Sequence, residues 1–140
     1  MKEQTVIFSL NELEKVAQKL WSLREQCKVY TFSGMLGAGK TTLVKEILRQ
    51  AGVKEVTTSP TFTYVNLYKV DGKTLYHFDL YRINSLDGFL QQGFDEYLYQ
   101  PDSWSFIEWP EVIEPLLKKE ICDVKLEYEN DKRKLSYQIR

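Results

Sequence analysis

The sequence predicts an α/β fold: a mixed parallel/antiparallel sheet flanked by helices and organised around a phosphate-binding loop. Three observations carry that reading. Short runs of β-branched and aromatic residues alternate with stretches of helical period. The apolar run Val29-Tyr30-Thr31-Phe32 leads straight into a glycine-rich turn that opens a helix. Two β-type runs flank Asp71-Gly72, a hairpin turn signal, and should pair antiparallel.

In chain order, Thr5-Val6-Ile7-Phe8 reads as a strand. Ser9 with Glu12 three residues later then forms a capping box for a helix whose apolar stripe is Leu10, Leu13, Val16, Ala17 and Leu20. After the strand at 29–32 and the glycine-rich turn, residues 41–49 resume helical character and stop at Gly52. Residues 61–70 and 74–81 are the two strands of the predicted hairpin. Residues 85–99 hold two short helical turns around Gly88 and Gly93. Trp104-Ser105-Phe106-Ile107 is a buried-type strand, and Pro110 opens a helix through Lys118. Residues 122–128 and 134–139 read as a closing hairpin.

The length of 140 residues suits one domain over 1–140, and 43% apolar with 28% charged residues is ordinary for a globular chain. A net charge of -1 supplies no global field to gather nucleic acid, so any contact with RNA is expected to be local or indirect. The basic clusters Lys118-Lys119 and Lys132-Arg133-Lys134 read as solvated surface and receive no role. Cys27 and Cys122, distant in sequence and lacking a CxxC pair, read as buried reduced thiols rather than zinc ligands. The opening Met1-Lys2-Glu3-Gln4 carries no signal-peptide apolar region, and no apolar run reaches the roughly 20 residues of a membrane span. The expectation is a cytoplasmic protein with no membrane association.

The segment Gly34-Met35-Leu36-Gly37-Ala38-Gly39-Lys40-Thr41 fits G-x-x-x-x-G-K-S/T without mismatch and lies between strand and helix. Polyphosphate carries several negative charges, so such a loop must turn backbone N–H groups inward, and glycine permits the angles required. The helix that follows points its positive dipole end at the anion. Lys40 is placed to reach the terminal phosphates and the Thr41 hydroxyl to ligate magnesium, while Thr42 supports the helix start. A nucleoside triphosphate with Mg2+ is the implied ligand.

Three further segments add polar groups. In Ser59-Pro60-Thr61-Phe62-Thr63 a hydroxyl is available to a γ-phosphate or magnesium, as in nucleotide switches; a capped turn before an edge strand is the plainer alternative. In His77-Phe78-Asp79-Leu80-Tyr81-Arg82, strand alternation puts His77 and Asp79 on one face and Phe78 and Leu80 on the other. Asp79 there either holds magnesium-bound water or orients the attacking water, or else pairs with Arg82 at the surface. His77 reads as a packed or hydrogen-bonded side chain. In Phe106-Ile107-Glu108-Trp109-Pro110, Glu108 ends a buried strand at the edge where open α/β sheets bind ligands, with Trp109 packed nearby.

Together GMLGAGKTT at 34–42, SPTFT at 59–63, HFDLYR at 77–82 and IEWPE at 107–111 resemble the TsaE (YjeE-type, YdiB-type) ATPases of bacterial tRNA threonylcarbamoyladenosine synthesis. Gly93-Phe94-Asp95-Glu96-Tyr97 is similar to that family's Gly-x-x-Glu-Tyr segment, and the likeness spans most of the chain. The resemblance implies a Mg2+-dependent ATPase with weak basal activity, stimulated by TsaD and TsaB, that supports threonylcarbamoylation of adenosine 37 and meets tRNA indirectly. By position, Lys40 and Thr41 match the loop residues of the family, Thr61 its switch-like threonine, Asp79 its acid and Glu108 the acid before tryptophan. Met35 stands where many relatives have a polar residue. The implied machinery is Lys40, Asp79 and Glu108 for catalysis, and Thr41, Glu108 and Asp79 around the metal. The nucleotide is held by 34–42 with Thr61 and Trp109.

Alternatives differ in what they require. A small-molecule kinase needs an arginine-rich lid, whereas the five arginines here are scattered. A GTPase needs Asp-x-x-Gly and Asn-Lys-x-Asp, and neither is present. A binding module that uses nucleotide only to set its shape is compatible with the same motifs.

Overall fold

The computed structural model describes residues 2–34, 37, 39–56 and 64–140. Seven strands form one sheet: β1 (Gln4–Phe8), β2 (Val29–Gly34), β3 (Val65–Val70), β4 (Lys73–Asp79), β5 (Ser103–Glu108), β6 (Ile121–Glu129) and β7 (Lys132–Ile139). Their order is β1-β7-β6-β2-β5-β4-β3. β2 lies at the centre, parallel to both β5 and β6, and β4 is parallel to β5. β3, β7 and β1 join antiparallel at the two sides. This is the mixed sheet the sequence predicts.

Helices α1 (Leu13–Trp21) and α2 (Lys40–Gln50) cover one face, with Val16, Ala17, Leu20, Leu43, Val44, Ile47 and Leu48 turned inward. The Ser9 N–H donates to the Glu12 carboxylate at 3.0 Å, as the capping box requires, and that bond holds the Glu12 carboxyl below its ordinary range. A 3-10 turn, Leu10–Glu12, intervenes before α1 begins. α2 ends as Gly52 permits: at φ 108° it lets its own N–H reach Arg49 O and the Val53 N–H reach Leu48 O, both at 3.0 Å.

The other face is covered by α3 (Leu86–Gln91), a 3-10 turn at Phe94–Tyr97 and a longer 3-10 segment at Pro110–Leu116. The helix expected through Lys118 is therefore not α-helical and stops sooner. Pro115 lies inside it, and a residue without an N–H cannot continue an α-helical hydrogen-bond ladder. Leu117 is already extended, at φ -99° and ψ 102°. The first strand of the predicted hairpin is seen over Val65–Val70, while residues 61–63 fall outside the described ones. Asp71 and Gly72 turn it with φ of 48° and 78°. Among the described residues no helix is long and apolar enough to cross a membrane.

Phe106 anchors the face under α1 and α2. It is fully buried, stacks on Tyr30 at 5.1 Å between ring centroids, and meets Trp21 and Phe32 at 6.2 and 6.5 Å. Phe106→Ala is expected to cost about 3–5 kcal/mol, read as a lowered midpoint in denaturant unfolding. A loss below about 1 kcal/mol would mean that the neighbouring rings close over the cavity. Cys27 and Cys122 are buried free thiols, as expected, both in the core under α1 and α2, and the Cys27 thiol donates to Leu23 O at 3.2 Å.

Candidate phosphate-binding site

The central strand β2 ends at Gly34, and α2 starts six residues later at Lys40, so the glycine-rich segment joins the C-terminal edge of the sheet to a helix N-terminus. Such an end presents unpaired N–H groups and the positive end of the helix dipole to an anion. Gly34, Gly37 and Gly39 have φ of 135°, 84° and 98°, the left-handed half of backbone space that side-chain-bearing residues avoid. Met35, Leu36, Ala38 and Thr61, all assigned to the nucleotide from sequence, lie outside the described residues.

Around the loop the sheet delivers three further groups. β4 and β5 are parallel neighbours with Asp79 in register with Glu108, so two acids end adjacent strands side by side. The Thr41 hydroxyl donates to the Glu108 carboxylate, 2.7 and 3.0 Å from its two oxygens. From the other side His77 Nε2 donates to Glu108 Oε2 at 2.6 Å. Glu108, 2% exposed, is thus oriented from two directions. His77 is the hydrogen-bonded residue the sequence suggests, and its partner is a residue diagonal to it on the next strand. Its Nδ1 is buried without a hydrogen-bond partner among the described residues.

Lys40 is 5% exposed. Its ammonium donates to Gly34 O at 2.7 Å and sits 3.9 Å from the centroid of the Trp109 ring. Burial pulls its pKa below the ordinary lysine value, and the charges of Glu108, Glu111 and Asp79 partly restore it. Trp109 holds a left-handed conformation, φ 59° and ψ 60°, which turns the chain out of β5 and lays its ring between Lys40 and Tyr81. The Tyr81 N–H donates to Asp79 Oδ1 at 3.1 Å, which orients the second acid.

A cavity of about 450 Å³ opens over these groups, lined by Gly37, Gly39, Lys40, Thr41, Thr42, Asp79, Tyr81, Arg82, Glu108 and Trp109. Every described sequence-predicted site residue except Gly34 faces it, and Gly34 contributes its carbonyl to Lys40. Arg82 adds a second cation. Among the described residues no cluster of three or more His, Cys, Asp and Glu side chains forms a metal cage. Magnesium in phosphate sites is held by one or two protein oxygens, with water and phosphate completing the shell, and a hydroxyl beside two carboxylates fits that chemistry. Sequence reasoning missed Tyr81, and it also missed Tyr128, whose hydroxyl donates to Gly37 O from β6. Only the pairing of distant strands brings that tyrosine to the loop.

The family model for TsaE, threonylcarbamoyl adenosine biosynthesis protein, matches residues 7–135. The chain belongs to the TsaE family. A TsaE of Rickettsia conorii is 36% identical over 127 residues, covering 89% of this chain and 71% of its own, and is described as a tRNA threonylcarbamoyladenosine biosynthesis protein. A TsaE of Haemophilus influenzae, described in the same words, is 35% identical over 87% of this chain and 77% of its own. Among solved structures, Bacillus subtilis YdiB superposes with a TM-score of 0.76 at 26% identity, over 97% of this chain and 84% of that one. TsaE proteins act in tRNA threonylcarbamoyladenosine biosynthesis, and the fold shared with YdiB is the one described above.

Proposed function

We propose that this TsaE binds ATP with Mg2+ in the cavity over α2 and hydrolyses it, slowly alone and faster when TsaD and TsaB dock. The hydrolysis would support threonylcarbamoylation of adenosine 37 in tRNA. The observation that carries the reading is the bond from Thr41 to Glu108 beneath the glycine-rich loop, with the Lys40 ammonium beside it. In that arrangement the loop N–H groups and Lys40 would hold the β- and γ-phosphates, and Thr41 and Glu108 would hold the magnesium. Bound Mg2+ would neutralise charge developing on the phosphates. Asp79, fixed by the Tyr81 N–H, positions the attacking water. Arg82 is the candidate within this chain for a transition-state cation. Phosphoryl transfer asks for positioning and charge neutralisation, so a site with a single internal arginine should turn over slowly until partners complete it.

The test is single-turnover hydrolysis of ATP with and without TsaD and TsaB, with modified tRNA as the second readout. Glu108→Ala is expected to lower the stimulated rate by about 100-fold or more. An unchanged rate removes Glu108 from the mechanism, and ATP left intact in the complete mixture removes hydrolysis from the function.

A further inference from the structure

His77, the single histidine of the chain, is fully buried and does not line the cavity. In the ladder between β4 and β5 it stands opposite Phe106, one step beneath the pair formed by Asp79 and Glu108. Leu75, two residues before it, belongs to the apolar core, and Asp79, two residues after it, reaches the cavity. The imidazole therefore occupies the border between core and site, at a position where an apolar side chain would simply extend the core.

Its hydrogen bonding is one-sided. Nε2 donates to Glu108 Oε2 at 2.6 Å, whereas Nδ1 is buried with no hydrogen-bond partner among the described residues. A polar atom sealed from water and left unpaired costs stability, and its retention calls for a purpose other than packing. The unpaired Nδ1 also fixes the tautomer: a proton there would meet no acceptor, so the ring N–H belongs on Nε2.

We infer that His77 is a positioning residue for the metal: it holds Glu108 by Oε2, so that Oε1 is the oxygen left to magnesium or to a water bound to it. The inference rests on the proposed seat for ATP with Mg2+ and adds to it a residue that acts only through Glu108. The two donors to Glu108 are not equivalent. Thr41, 2.7 Å from Oε1 and 3.0 Å from Oε2, is asked to serve magnesium as well, and a hydroxyl rotates. The imidazole is rigid, walled in on all sides, and makes no other side-chain hydrogen bond among the described residues. It keeps one carboxylate oxygen occupied while the other changes partners. A carboxylate free at both oxygens turns about its last torsion and offers either one. Held from beneath, it offers one oxygen in one direction, as a small cation with strict octahedral geometry requires.

The test is calorimetry of ATP binding with Mg2+ and with EDTA in its place, on His77→Gln and His77→Asn. The two amides differ in reach. The glutamine NH2 group can take the place of Nε2, while that of asparagine stops at the level of Nδ1. The readout is the gain in ATP affinity that Mg2+ brings. His77→Gln is expected to keep that gain within about threefold of the unaltered protein, and His77→Asn to lose about tenfold of it or more. In EDTA both variants should bind ATP within about twofold of the unaltered protein, which a merely structural role for the ring would not allow. His77→Leu removes the donor without placing a polar group in the core, and it stands in for His77→Asn, with the same expected loss, if a thermal melt shows that variant unfolded. A gain retained without the donor would overturn the inference, as would affinities that fall equally with and without Mg2+, or a loss as large in His77→Gln as in His77→Asn. If the unaltered protein binds ATP no more tightly with Mg2+ than in EDTA, the proposed metal site itself fails and takes this role with it.

Discussion

Lys40→Ala should reduce affinity for Mg2+-ATP by about 2–5 kcal/mol, thirtyfold or more, and bring hydrolysis to background. The magnitude follows from what the ammonium balances. Glu108, Glu111 and Asp79 all act electrostatically on Lys40, and the cavity it lines must also accept the several negative charges of a polyphosphate. Without the cation, the two carboxylates that line the cavity, Asp79 and Glu108, face the anion with their repulsion uncompensated by Lys40. Lys40 is also prepared for the task. Its tail is buried, its head is held between Gly34 O and the Trp109 ring, and little side-chain freedom is left to lose on binding. Calorimetry on the variant, with a thermal melt to establish that it is folded, is the measurement. Binding within threefold of the unaltered protein would show that the loop amides alone carry the anion.

Gly34→Ala should be the most damaging alanine substitution among the glycines, costing about 2–6 kcal/mol of stability. A Cβ at Gly34 would stand 2.2 Å from Leu126 O and 3.2 Å from Leu126 C, and both are backbone atoms that no side-chain rotation can move away. The φ of 135° adds strain of its own, since a residue with a Cβ avoids that region. β2 and β6 are paired there, Gly34 opposite Leu126, so relief requires moving a central strand. The same shift would carry the Gly34 carbonyl away from Lys40, and nucleotide affinity should fall with stability. Chemical denaturation compared with Gly39→Ala separates close approach from backbone angle. Gly39 also has a positive φ, yet nothing lies within 4 Å of its Cβ position. Equal losses at the two positions would remove the close approach as the cause.

The elements were legible in sequence wherever their cause is local. The capping box at Ser9, the Asp71-Gly72 turn, the stop at Gly52 and the helix start behind Gly39 all depend on residues within a few positions of one another. The loss of α-helical form at Pro110–Leu116 has a local cause as well, since Pro115 stands inside the span that Pro110 marks as helix. In the site, Lys40, Thr41, Asp79 and Glu108 were recognisable by residue type and by position at strand or helix ends. His77 showed its face on the strand but not its partner.

By itself the sequence determined the glycine-rich loop between a strand and a helix, the two acids at strand ends and the alternation that puts His77 and Asp79 on one face of their strand. Backbone preference and side-chain period act over a few residues, and those features need nothing more. The tertiary structure alone decided that Asp79 stands beside Glu108, that His77 reaches Glu108, and that Tyr128 and Arg133 arrive at the flank of the loop. Those arrangements depend on strand order and register across 31 residues in one case and 91 in another. Register is set by burying the apolar faces on both sides of the sheet at once and by the close approach at Gly34, forces that no short stretch of sequence contains.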